Sequence, residues 1–198
     1  MTLADRTVPA DNKEARKGDQ IIQAALRVFA EHGLHGTPVP PIAAEAGVGV
    51  GTLYRYFDSK ETLVNAVFKS AKSKLKDYLQ EDHFEDDPRQ VFHRFWNNLV
   101  RFTTDHPEEF YFLELQDHTP YLNAESRKLE WEVLSPISQF CIDGTRRGLF
   151  KTLPSDTMMA MIWGAFVGLM KASKLGYART NRDILQQAEE LCWQMLLK

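Results

Sequence analysis

Thr37 to Lys60 reads TPVPPIAAEAGVGVGTLYRYFDSK, and these 24 residues leave few folds open. Pro40 and Pro41 can only open a helix, because the first turn needs no N–H from them and the ring fixes a helical φ. That helix runs to Ala46, and Gly47 closes it. A further short helix spans about Gly51 to Phe57. Two short helices joined at a steep angle by a glycine turn form a helix-turn-helix, whose second member enters the DNA major groove by its N-terminal end. Ile42 and Ala43 face inward on the first helix. Ala46, Gly47 and Val48 supply the small residue, the left-handed turn position and a buried apolar residue. Leu53 and Phe57, four apart, pack the second helix on the first, which leaves Val50, Thr52, Tyr54, Arg55 and Tyr56 for the outer face and its edges.

The rest of the chain is helical in period. Ile21, Ile22, Ala25, Leu26, Phe29 and Ala30 recur at spacings of three and four from Arg16 onward, and Gly33 caps that helix. Ser59 as N-cap opens a long fourth helix through Leu79. After the acidic stretch EDHFEDDP, helices are expected over Pro88 to Asp105, from Pro107 through EEFYFLELQDH, over Ala124 to Thr145, over Asp156 to Gly176 and over Thr180 to Leu197. No alternating strand bounded by hairpin turns and no internal repeat is present, so the fold class is all-α with about nine helices. The expected division is a polar N-terminal arm over 1–15, a helix-turn-helix domain over 16–58 and a body over 59–198.

Charge is distributed unevenly along the chain. Residues 1–76 carry 11 Lys+Arg against 8 Asp+Glu, a balance of +3, and the remainder carries 13 against 19, a balance of −6, giving the net −3. A mildly basic N-terminal third on an acidic remainder fits a nucleic-acid-binding head on a body with another role.

The string IAAEAGVGVGTLYRYFDSKETL, residues 42–63, with QIIQAALRVFAEHGLHGT, residues 20–37, closely resembles the TetR/AcrR family of bacterial transcriptional regulators. The resemblance implies a three-helix DNA-binding head, a fourth helix linking it to a helical ligand-binding body, and a dimer formed by the last two helices as a four-helix bundle. Residue by residue, it implies that Thr52 and Arg55 reach base edges or nearby phosphates, that Tyr54 and Tyr56 bond phosphates through their hydroxyls, and that Lys60 meets the backbone beside the fourth helix. Thr37 would sit near a phosphate at the start of the second helix. For Tyr54, Tyr56 and Lys60 the other reading is structural: partly core for the tyrosines, a solvated helix start for the lysine.

The chain departs from the family pattern at helix starts. Pro38 stands where a hydroxyl residue often serves as cap and phosphate ligand. Pro40 and Pro41 replace polar residues, and the reading helix opens Gly49-Val50-Gly51 where a serine cap and a polar residue are common. Interior glycines cost a helix about 1 kcal/mol each. They also let backbone approach DNA, and Val50 can touch a thymine methyl. The expectation is sparse, apolar base readout with Arg55 carrying the polar discrimination.

The body is rich in aromatic residues. A small-molecule pocket lined by Phe95, Leu99, Phe102, Phe110 and Trp131, with Glu114, Asp117 and His118 as polar wall, stands against the plainer reading that these residues are only core or helix surface. Glu114 and His118, four apart on an expected helix, share a face with Asp117 beside it, a spacing that is also weakly compatible with a metal. Met161, Gly164, Ala165, Gly168 and Ala172 recur as small or flexible residues and, with Met195, suit the close helix approach of a dimer. Burial within one subunit is the alternative.

Cys141 and Cys192 lie in apolar helical contexts with no partner at metal-ligand spacing, as expected of reduced thiols in the cytoplasm. The N-terminus shows no apolar signal region, and the longest apolar run, Met158 to Met170, is 13 residues against the roughly 20 a bilayer needs. The expected function is therefore a cytoplasmic, homodimeric, ligand-responsive repressor with no enzymatic activity, cofactor, resident metal or membrane partner. Its partners would be a palindromic double-stranded operator and a small apolar or aromatic effector. An activator, a protein-interaction module with a degenerate head, and a metal enzyme built on Glu114, Asp117 and His118 are the rival readings.

Overall fold

The computed structural model describes residues 10–79 and 87–198, with side chains from Glu14 onward. Of the acidic stretch after the fourth helix, residues 81–86 lie outside the described part, as do residues 1–9 of the expected arm. Among the described residues the chain forms α1 (Ala10–His32), α2 (Val39–Glu45), α3 (Val50–Tyr56), α4 (Lys60–Leu79), α5 (Pro88–Asp105), α6 (Pro107–Leu115), a 3-10 turn (Thr119–Tyr121), α7 (Ala124–Arg146), α8 (Ser155–Lys174) and α9 (Arg182–Leu196). The extended pairing there is a single isolated bridge, Phe150 with Leu197. No helix among these residues is long and apolar enough to cross a membrane.

Two expectations about boundaries change. α1 begins at Ala10, so the arm expected over 1–15 is helical from there on. α6 ends at Leu115, with Gln116 in an extended conformation, so it stops short of Asp117 and His118. Gln116, Asp117, His118 and Thr119 form a polar run before Pro120, with no apolar residue to continue the buried stripe of α6.

The chain divides into two compact units that cut across the expected head and body. The first takes the chain to Ser73 together with His106–Arg127; the second takes Lys74–Asp105 with Lys128–Lys198. α6, the 3-10 turn and the first residues of α7 thus group with the DNA-binding helices.

In the first unit the apolar stripe of α1 is buried at Ile21, Ala25, Leu26 and Phe29. Gly33, at φ +84°, ends the helix by taking the left-handed conformation that β-carbon-bearing residues avoid. The ring of Phe29 stacks on Phe112 of α6 at 6.1 Å. Ile42, Leu53, Leu63 and Phe68 complete a dry core, each side chain contributing roughly 1.5–3 kcal/mol on burial.

The second unit closes on aromatic rings. Phe92 packs on Trp96 (6.4 Å) and on Trp193 (5.4 Å), Trp96 meets Phe166 edge-on at 5.2 Å, and Phe150 meets Trp193 edge-on at 5.6 Å. Phe150 fits because residue 144 is glycine: a β-carbon there would lie 2.0 Å from the Phe150 ring. Glu189 of α9, only 2% exposed, is held by Arg89 at 2.5 Å and by His93 Nδ1 at 2.9 Å, both on α5. Lys151 closes the C-terminal end of α9, where carbonyls lack helical partners; its N–H donates to Leu196 and its Nζ to Met195 and Leu197.

Candidate nucleic-acid interface

The turn between α2 and α3 fixes the geometry of the reading helix. Gly47 sits at φ +62°, and the Val48 N–H reaches back to the Ala43 carbonyl at 2.9 Å, closing the end of α2. From α1, Gln20 Nε2 donates to the Ala46 carbonyl at 2.9 Å and pins the turn. Leu53 and Phe57 are buried, so they set the rotation of α3.

That rotation exposes Gly49, Val50 (38%), Gly51, Tyr54 (44%) and Arg55, with Thr52 and Tyr56 half-buried. The helix opens on Gly49, which brings no side-chain cap, and the first-turn N–H groups are left to other acceptors. A bare helix N-terminus with positive dipole and a slim Gly-Val-Gly edge suits close approach to a phosphate backbone or groove. Tyr56 is partly structural: a β-carbon at Gly18 would lie 3.8 Å from its ring, and the Arg55 guanidinium lies 5.6 Å from its centroid. The Arg55 head is thus steadied by an aromatic face next to the reading edge.

Two residues expected at phosphates are engaged within the protein. Thr37 is buried and its hydroxyl donates to the Gly33 carbonyl at 2.6 Å, closing the loop after α1. Lys60 donates Nζ to the Leu34 carbonyl at 2.7 Å and lies over the Phe29 ring. Both serve the α1–α2 loop, Thr37 from within it and Lys60 from 26 residues beyond Leu34. Ser59 behaves as expected, its hydroxyl accepting the Thr62 N–H at 3.1 Å.

The expected pocket residues fall in both units. Phe95, Leu99 and Phe102 are buried in the second; Phe110 and His118 are buried in the first, where Glu114 is half-buried. Three expectations change. Glu114 and His118 do not share a helix face, because α6 ends between them. His118 instead lies between the rings of Phe112 (5.8 Å) and Phe68 (5.0 Å). Asp117 is exposed, 3.7 Å from His35 Nε2, and Trp131 is 63% exposed on α7, turned away from any interior. No group of three or more His, Cys, Asp or Glu among the described residues is arranged to hold a metal ion.

Comparison with known proteins decides what this scaffold is. Residues 21–67 match the model of bacterial regulatory proteins of the tetR family, and residues 68–197 match the tetracyclin repressor-like C-terminal domain. The chain belongs to the TetR family.

Other TetR-family regulators share the whole architecture. A crystal structure from Marinobacter aquaeolei superposes with a TM-score of 0.82 at 23% identity, covering 95% of this chain and 99% of that one. An uncharacterized HTH-type transcriptional regulator of Haemophilus influenzae is 23% identical over 91% of this chain and 95% of its own length. The fatty acid metabolism regulator protein of Bacillus subtilis is 43% identical over 63 residues, 32% of each chain. The Bacillus subtilis FadR structure in complex with stearoyl-CoA has a TM-score of 0.68 at 22% identity, covering 90% of this chain and 98% of that one. The protein is a DNA-binding transcriptional regulator.

In this regulator Met161, Gly164, Ala165 and Gly168 of α8 are exposed, and Ala172 and Met195 are half-buried. α9 adds Leu191, 68% exposed, which the small-residue pattern did not single out.

Proposed function

We propose that this regulator is a repressor that binds a palindromic operator as a homodimer and is released by a largely apolar effector of the long-chain acyl class. The helix-turn-helix over 16–58 reads DNA through Gly49, Val50, Gly51, Thr52, Tyr54, Arg55 and Tyr56. Residues 59–198 supply the effector and dimer surfaces. The observation that carries the reading is the exposed face of α8, where Met161, Gly164, Ala165 and Gly168 stand in solvent on a helix whose opposite face, Met158, Ile162 and Phe166, is buried. A helix apolar on both faces is covered on both when the protein works. An acyl effector is supported by the aromatic interior of the second unit and by the likeness to a regulator crystallised with stearoyl-CoA. The effector acts by preferring the state that does not hold DNA.

Gel-shift and footprinting on the DNA upstream of the regulator's own gene test this. The expected result is a shift that weakens steeply with salt, as phosphate contacts require, and two protected half-sites with centres roughly 34–36 Å apart or a multiple of it. Stearoyl-CoA is expected to reverse the shift. No shift at low salt, or a monomer by analytical ultracentrifugation at concentrations that occupy the operator, overturns the reading.

A further inference from the structure

We infer that Asn65 is a positioning residue for operator binding: it locks the DNA-binding helices to the corner between α6 and α7, and so sets where each reading helix is presented. The inference rests on the homodimer reading above.

Asn65 sits on the core-facing stripe of α4, between Val64 and Val67, and is 4% exposed. A side-chain amide offers two N–H donors and two carbonyl lone pairs. Here all four are used. Nδ2 donates to the Glu61 carbonyl one turn back on α4 at 2.8 Å and to the Tyr121 carbonyl at 2.6 Å. Oδ1 accepts the Asn123 N–H at 2.9 Å and the Ser126 hydroxyl, itself fully buried, at 2.7 Å. The orientation of the amide is fixed by these partners, since a flipped group would turn its N–H toward the Asn123 N–H and its oxygen toward two carbonyls. Asn123 in turn accepts the Ser126 N–H at 2.9 Å and opens α7.

Three of the four partners thus belong to the 3-10 turn and the start of α7, 56 to 61 residues away in sequence. Further joins run the same way. Gln116 Oε1 accepts the Leu34 N–H at 3.1 Å, His35 lies beside Asp117 and the Tyr121 ring (5.6 Å), and Lys69 pairs with Glu125 at 2.9 Å. The last two are exposed and contribute little. The Asn65 amide is the buried join, and a buried polar group specifies geometry because every alternative arrangement leaves it unsatisfied.

The consequence concerns two continuous helices. α4 and α7 each begin in the first unit and continue into the second. A head held by α4 alone has one helical link to the rest of the chain. Asn65 adds the second by fixing α7's first turn to α4. A full palindromic operator requires two heads at a fixed separation, whereas a half-site requires only one correctly folded head.

Full-length protein is therefore compared on two duplexes: the footprinted operator, and the same duplex with one half-site scrambled. Wild type is expected to prefer the full operator by about 100-fold. Asn65→Leu, of similar volume but without the bonds, is expected to lose at least tenfold of that preference while its half-site affinity stays within about twofold. Ser126→Ala removes one of the four bonds and is expected to lose about threefold; it decides the question if Asn65→Leu does not fold. Equal weakening on both duplexes means that Asn65 only stabilises the head, and no change on either means that it positions nothing; both overturn the inference. A wild type without full-operator preference overturns the homodimer reading instead, and this inference with it.

Discussion

The two units are held together by different chemistry. The first is joined across long sequence distances by side chain to backbone hydrogen bonds: Gln20 to Ala46, Lys60 to Leu34, Gln116 to Leu34 and Asn65 to Tyr121 and Asn123. The second is joined by ring packing around Phe92, Trp96, Phe150, Phe166 and Trp193, with one buried carboxylate, Glu189, clamped between α5 and α9. Hydrogen bonds are directional and fix orientation; apolar packing is tolerant of shape as long as volume is conserved. A DNA-reading unit needs the first property, and the effector-binding role proposed above is better served by the second.

The largest effect should come from overfilling the second unit. Gly144→Ala places a β-carbon 2.0 Å from the Phe150 ring, so the ring must leave its seat. A loss of about 3 kcal/mol is expected in urea unfolding. A variant as stable as wild type would mean that ring packing is not what closes this unit.

Next is the buried carboxylate of that unit. Arg89→Ala leaves the Glu189 carboxylate, 2% exposed, with the His93 ring at 2.9 Å as its neighbour on α5. Breaking a buried pair costs about 3–5 kcal/mol, discounted here to about 2 kcal/mol because the Arg89 side chain is 35% exposed. Glu189→Gln should cost less, since it leaves no buried charge uncompensated and the Arg89 head, 35% exposed, can turn to solvent. Thermal melting that ranks the two in the opposite order would contradict the clamp.

In the first unit the contrast lies between two helix starts. Ser59→Ala removes the cap of α4, and about 1 kcal/mol of stability is expected to go with it. Gly51→Ala meets nothing within 4 Å and should stabilise α3 by about 0.5–1 kcal/mol. If the glycines at the reading edge serve close approach to DNA, Gly51→Ala raises the melting point and lowers operator affinity in the same protein. A gain in both would show that the bare helix start has no role in DNA binding.

The smallest effect at neutral pH concerns Cys141. Burial pushes its thiol from 9.0 up to about 11. The unfolded chain therefore loses this proton first, so the group's contribution to stability is intact below pH 9 and falls as pH rises toward 11. Labelling by a thiol reagent at pH 8 should be slow in the folded protein and fast in urea; rapid labelling of native Cys141 would place it at the surface.

These contrasts bear on what could be read in advance. The helix-turn-helix was legible almost to the residue, because prolines, glycines and an i, i+4 apolar pair constrain local backbone and rotation directly. Ser59 as cap and Gly33 and Gly47 as left-handed stops are local facts of the same kind. For Thr37 and Lys60 the structure adds internal bonds to the carbonyls of Gly33 and Leu34, in a loop whose path the local pattern does not specify. Trp131 shows the same limit from the other side: its apolar bulk suggested an interior, yet α7 turns it to solvent.

By itself, then, the sequence determined the all-α class, most helix boundaries to within a turn, the start of α1 excepted, the reading helix and the family, since each follows from periodicity and backbone restriction over short spans. Only the tertiary structure decided that α6 and the start of α7 group with the head, that Asn65 joins them to α4, and that Glu189 is a buried clamp. Those outcomes depend on which surfaces meet across 50 to 100 residues, and a polar side chain on an apolar stripe does not announce which distant carbonyl or amide will satisfy it.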